Sequence, residues 1–166
     1  MPELPALFIG RFQPFHKGHL DGVKQVLAHE KKIIIAIGSS EVFGTEDNPF
    51  TASERYQMIE ASLQEAKIPD SHYCIIPVRD IHDDAKWVEH VKNTAPPFRN
   101  VYTGSPVVKK LFKKDGRHGV VTLKKTLKIS GTLIRKKIKK GEKTAVGWKN
   151  MVPKATLKYI DLWMTR

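Results

Sequence analysis

The run Lys32–Ile37, KIIIAI, constrains the fold more than any other stretch of the chain. Its apolar residues are consecutive rather than alternating, so a strand here must be buried on both faces. Such strands belong to parallel sheets covered by helices on each side. The rest of the chain supplies the partners. Ala6 to Ile9 reads as a first strand ending at Gly10. His72 to Val78, Asn100 to Thr103 and Gly119 to Leu123 read as three more. Helical spacing falls between them, over Lys17 to His29, Thr51 to Ala66, Asp84 to about Asn93, and Pro106 to Lys113. Two further helices are expected over Ser130 to Lys140 and Lys154 to Met164. Thr51 with Glu54 forms a capping-box pattern, and Asp84 is a candidate cap. Strands alternating with helices imply βαβ units with right-handed crossovers. The expected fold is α/β: a Rossmann-like, doubly wound parallel sheet of about five strands, in one domain spanning 1–166. The helix 154–164, with Leu157, Ile160 and Trp163 on one face, is expected to dock on that domain or on a neighbouring subunit.

Ligands of such sheets bind beyond the carboxyl ends of the strands, where strand order reverses. The loops after the first and second strands and before the Ser130 helix are therefore expected to meet there. The first loop is unusual. In GRFQPFHKGHL, residues 10 to 20, Pro14 disfavours helix at Gln13, so the helix starts near His16 or Lys17. His16 and His19 then share one face of its first turn. Gly18 between them allows close approach to the backbone. The helix start adds free N–H groups and a positive dipole end, and Arg11 and Lys17 add charge. The sum is a phosphate cradle with two imidazoles aimed into it. The same histidines could ligate zinc, but no third ligand stands at motif spacing. In ISGTLIR, residues 129 to 135, Ser130 can cap a helix, Thr132 offers a hydroxyl, and Arg135 can reach a phosphate one turn on.

Composition narrows the function classes. The chain has 166 residues, 40% hydrophobic and 28% charged, with no apolar run long enough to span a bilayer. Its start has no basic n-region and only a short apolar run, so no signal peptide is expected there. The single cysteine, Cys74, lies in a strand and is expected to be a buried thiol, which fits a cytoplasmic protein. The formal net charge of +12 points to polyanionic partners or to a lysine-rich solvated surface. Much of the excess sits in KKLFKKDGR, LKKTLK and IRKKIKKGEK. No Walker loop, dinucleotide fingerprint, HExxH motif or paired CxxC is present.

HKGH after a strand, with ISGTLIR near the C-terminus, resembles the HxGH and ISxTxxR signatures of the nucleotidyltransferase superfamily. GRFQPFHKGHL, IGSS, NPFTASER, PVRDI with Trp87 soon after, and VYTGSP resemble, in order, the archaeal-type nicotinamide-mononucleotide (NMN) adenylyltransferases over roughly residues 5 to 155. The resemblance implies transfer of AMP from ATP to NMN, giving NAD and pyrophosphate, with Mg2+ bound mainly through the ATP phosphates and no metal site of protein ligands. It implies a homo-oligomer, with a hexamer as one form the resemblance suggests. It assigns His16, His19, Arg11 and Lys17 to catalysis, and Gly10, Phe12, Gly18, Ser130, Thr132 and Arg135 to ATP. It assigns Ser39, Asp80, Ile81, Trp87, Phe50 and Arg55 to NMN.

The residues agree with that chemistry. A phosphate nucleophile is already ionised at neutral pH, so alignment and charge stabilisation suffice and no general base is required. Several positions keep a second reading from sequence alone. Trp87 stacks on the nicotinamide ring or fills a core. Asp80 lines the pocket or is a loop carboxylate. Ser39 binds substrate or makes the turn. Arg55 holds an anion or pairs along its own helix. Two other function classes stay open: an adenylyl- or cytidylyltransferase acting on phosphopantetheine or FMN, and a basic nucleic-acid-binding module. The second lacks RRM or KH signatures and basic-aromatic interleaving.

Overall fold

The computed structural model describes residues 2–141 and 147–166. The Glu142 and Lys143 end of IRKKIKKGEK lies outside them. Five strands, β1 (Ala6–Gly10), β2 (Ile33–Ile37), β3 (Tyr73–Pro77), β4 (Asn100–Thr103) and β5 (Gly119–Thr122), pair in parallel in the order β3-β2-β1-β4-β5. The helices are α1 (Lys17–Leu27), α2 (Ala52–Glu65), α3 (Asp84–Thr94), α4 (Pro106–Asp115), α5 (Gly131–Lys139) and α6 (Lys154–Met164). Every strand and helix expected from periodicity is present. Short 3-10 turns at Asp70–His72 and Trp148–Met151 add to them.

The period of two along each strand divides the core. Ala6, Phe8, Ile33, Ile35 and Ile37 face a layer containing Val23 and Val26 of α1, Met58 and Leu63 of α2, Ile134 of α5 and Ile160 of α6. Leu7, Ile9, Ile34 and Ala36 face Val88 and Val91 of α3 and Phe112 of α4. β2 is therefore buried along its whole length, as its composition requires.

Two expectations need correction. Cys74 is exposed, because β3 is an edge strand and helices do not cover its outer side chains. The α3 cap is Asp83, one residue earlier than expected; its carboxylate accepts from the N–H groups of Ala85 and Lys86. The α2 capping box forms as read, with Thr51 and Glu54 bonded reciprocally. The terminal helix lies against α2. Thr156 and Ser62 share a buried hydroxyl contact of 3.2 Å, and Trp163 meets Phe50 edge-on.

Candidate active site

Strand order reverses between β1 and β4, and two cavities open there at the carboxyl ends of the strands. One, of about 370 Å³, lies over the start of α1 and is lined by His16, Gly18, His19, Lys125, Ser130 and Gly131. The other, of about 420 Å³, is lined by Arg11, Ser39, Asp80, Trp87 and Val108. Each is large enough for a small-molecule ligand. Ile9, Gly10 and Ser105 line both, so the cavities are neighbours with Gly10 on the dividing wall.

The histidine pair is tightly built. His16 caps α1. Its Nδ1 accepts from the His19 N–H at 3.3 Å, while His19 Nδ1 accepts from the His16 N–H at 3.2 Å. This is a capping box made of imidazoles. The rings stack with centroids 3.6 Å apart. Phe12 and Phe15 back His19, at centroid distances of 4.8 and 5.6 Å. Desolvation, assisted by the charge of Lys125, lowers the His16 pKa to about 4. Desolvation, assisted by His16, holds His19 well below the usual range. Both rings are therefore neutral at neutral pH. Since both Nδ1 atoms accept backbone protons, each ring carries its own proton on Nε2. The pair presents two N–H donors, as an anion requires. Gly18 is needed for the pair: a Cβ there would stand 2.9 Å from His16 Cε1.

The second motif meets the first directly. Ser130 caps α5 through the Leu133 N–H. Arg135 donates from Nη1 to the Gln13 carbonyl at 2.7 Å and from Nη2 to the Thr132 hydroxyl at 3.3 Å. Burial pulls its pKa down, opposed by Asp47 and assisted by Arg11. Thr132 is exposed at the first turn of α5.

The remaining assignments divide. Ser39 (φ +45°), Asp80 and Trp87 line the larger cavity, with Trp87 edge-on to Phe112 at 5.8 Å. The Asp80 N–H donates to the Glu41 carboxylate, which fixes the loop after β3. Ile81 is half-buried outside that lining. Lys17 is exposed and lines a separate concavity beside Leu20 and Lys24. Phe12 and Phe50 are core residues, at 1% and 0% exposure.

Arg55 is neither an anion ligand nor a partner for Glu54. It is fully buried, and its guanidinium donates to the carbonyls of Arg11, Gly38, Ser39, Ser40, Val42 and Thr51. Its donors are spent holding the loops after β1 and β2. Desolvation lowers its pKa to about 10, so it stays charged at neutral pH.

The sequence model of the cytidylyltransferase-like family matches residues 7–137. The chain belongs to the cytidylyltransferase-like family. Within this family it is similar to curated nicotinamide-nucleotide adenylyltransferases. That of Picrophilus torridus is 40% identical over 157 residues, covering 94% of this chain and 89% of the relative. That of Methanococcus aeolicus is 42% identical over 157 residues, covering 94% and 87%. A bifunctional NMN adenylyltransferase/ADP ribose pyrophosphatase from Francisella tularensis superposes with a TM-score of 0.83 at 25% identity, covering 99% of this chain and 51% of that one. This member of the cytidylyltransferase-like family thus spans about half the length of that bifunctional protein. The same Francisella protein complexed with AMP and a Mn ion superposes at 0.77 and 26% identity.

Three functional candidates escaped the sequence reading of this cytidylyltransferase-like chain. Lys125 had been absorbed into a basic run, yet it lines the histidine cavity. Gln25 bonds the Lys124 backbone through two contacts, at 2.8 and 2.9 Å, and the Thr126 hydroxyl donates to Asp21 at 2.6 Å, pinning that loop to α1. Ser105 sits on the shared wall. Gln13 stands at the crossing of three segments. Among the described residues, no group of three or more His, Cys, Asp or Glu side chains is arranged to hold a metal ion. The donors around the histidine cavity suit phosphate oxygens, so they fit a cation that arrives on the phosphates themselves.

Proposed function

We infer that this chain transfers the AMP group of ATP to nicotinamide mononucleotide, giving NAD and pyrophosphate, a step of NAD biosynthesis. One observation carries the reading: two nucleotide-sized cavities meet at Gly10, and one is floored by a pair of neutral imidazoles fixed as Nε2–H donors. The curated relatives support the choice of reaction.

ATP lies in the histidine cavity, with its phosphates toward the starts of α1 and α5. NMN lies in the other, its ring against Trp87 and its phosphate toward Gly10 and Arg11. A phosphate oxygen of NMN attacks the α-phosphorus of ATP, and the bond from that phosphorus to the α,β-bridging oxygen breaks. Pyrophosphate leaves with the electron pair. No proton must move. His16 and His19 donate to phosphate oxygens as negative charge builds on the leaving side. Their low basicity suits this, because a neutral donor does not surrender its proton to the anion it holds. Arg11 lines the acceptor cavity next to Gly10. Arg135 and Thr132 hold the far phosphates at the start of α5. A divalent cation, Mg2+ in this reading, supplies charge neutralisation when bound through the phosphates; the Mn ion in the Francisella protein supports divalent-metal use.

No helix among the described residues is long and apolar enough to cross a membrane. A cytoplasmic homo-oligomer is the setting the family resemblance supports. The deciding experiment supplies ATP and Mg2+ with NMN, deamidated NMN, 4′-phosphopantetheine or FMN in separate reactions. Pyrophosphate release with NMN, together with NAD in the product, supports the reading. Release only with another acceptor overturns the acceptor assignment, and no release with any of them overturns the reaction.

A further inference from the structure

We propose that Gln13 is a positioning residue that locks the two phosphate-binding helix starts into one register by aiming its own carbonyl at Arg135. The proposal rests on reading those helix starts as the polyphosphate site. Gln13 is 3% exposed and ties its own loop to two other segments. Its side-chain amide makes a two-point bridge to Phe50: Nε2 donates to the Phe50 carbonyl at 2.9 Å, and Oε1 accepts the Phe50 N–H at 2.8 Å. Its main-chain carbonyl accepts from Arg135 Nη1 at 2.7 Å. The α5 start presses on the same carbonyl so closely that a Cβ on Gly131 would lie 3.0 Å from it.

The neighbouring backbone explains why a clamp is needed. Phe12 has φ +53°, a conformation that bulky residues avoid. Such strain persists only where the surroundings over-determine it. Here Arg55 holds the Arg11 carbonyl on one side at 3.0 Å, and the Gln13–Phe50 bridge holds the other. Phe12 in turn carries His19. One buried amide therefore fixes both the phenyl behind His19 and the carbonyl that orients Arg135. The bridge has two bonds in a dry site, so losing it strands two buried backbone groups and lets the loop move.

The test is a double-mutant cycle on kcat and KM, with thermal unfolding checking that each variant is folded. Gln13→Met removes both bonds at nearly constant length. Arg135→Ala is expected to lower kcat about tenfold to a hundredfold in the wild-type background, and less than about threefold in Gln13→Met. The KM for NMN should stay near the wild-type value in both. Gln13→Glu adds a readout that a merely structural role would not give. Its protonated form offers one donor and one acceptor, like the amide, whereas its ionised form faces the Phe50 carbonyl with no proton. Its kcat relative to wild type should rise as pH falls, and the Arg135→Ala penalty should return with it. Equal Arg135→Ala factors in both backgrounds, or a kcat for Gln13→Met within about twofold of wild type, would overturn the coupling. Should Gln13→Met not fold, the two protonation states of Gln13→Glu serve as the two backgrounds. The same cycle read as pyrophosphate affinity tests the coupling even if the wild-type chain transfers no AMP, so the two readings fail separately.

Discussion

His16 and His19 spend their Nδ1 atoms on each other's backbone, and burial disfavours their charged forms. That has a thermodynamic consequence. The unfolded His16 binds a proton near pH 6.5, but the folded one waits until about 4. Between those values the unfolded chain holds more protons, so stability is full above the upper limit and declines as pH falls through the window. His16 should contribute a slope of about 1.4 kcal/mol per pH unit there, and His19, held well below its usual range by burial, works in the same direction. Urea unfolding across this range should show the decline. His16→Asn, which can still cap α1, should make the slope shallower; an unchanged slope would contradict the burial account. At the same scale, Trp87 lines the larger cavity beside Asp80 and away from the histidines. Trp87→Ala should raise the KM for NMN about tenfold while leaving the KM for ATP within about twofold, in line with ~1 kcal/mol or more for a stacked cationic ring. Equal changes in both would place Trp87 in the core role that sequence alone left open.

At the scale of elements, the loops do the work that the helices and strands make possible. Arg55 ties the carbonyls after β1 and β2 to α2. Arg55→Met leaves those carbonyls without their donor in a dry site and should cost about 3 kcal/mol or more in urea unfolding. The loop carrying Lys125 is pinned to α1 by Gln25 and Asp21. Lys125→Ala should raise the KM for ATP about threefold to tenfold with a smaller effect on kcat, as loss of a ground-state phosphate contact would. Initial-rate kinetics would check it, and an unchanged KM would remove Lys125 from the nucleotide site. The sequence made the elements legible because periodicity and caps are local signals, and the HKGH and ISGTLIR starts stood out for the same reason. Edge position is not local, so the apolar run around Cys74 read as buried. Arg55 read as a ligand because an arginine beside a helix start has two uses, and only the fold shows six carbonyls converging on it. Gln13 carried no signal. Its partners lie 37 and 122 residues away along the chain.

For the whole molecule, the closing helix α6 matters more to stability than to chemistry. Ile160 is fully buried among residues of the larger core, and Thr156 pairs with Ser62 beneath it. Ile160→Ala should lower stability by about 3 kcal/mol without changing kcat at temperatures where the protein stays folded. A loss of kcat in folded protein would mean that α6 reaches the site. The two cavities, by contrast, meet at the sheet but share little of their walls. The histidine cavity takes its wall from the start of α1 and from residues 123–131, whereas the Trp87 cavity draws on α3, α4 and the loops after β2 and β3; only Ile9, Gly10 and Ser105 serve both. Divergence can therefore work on one side at a time. A descendant of such a gene could rebuild the Trp87 side for a different ligand while inheriting the histidine side unchanged, provided the three shared residues hold still.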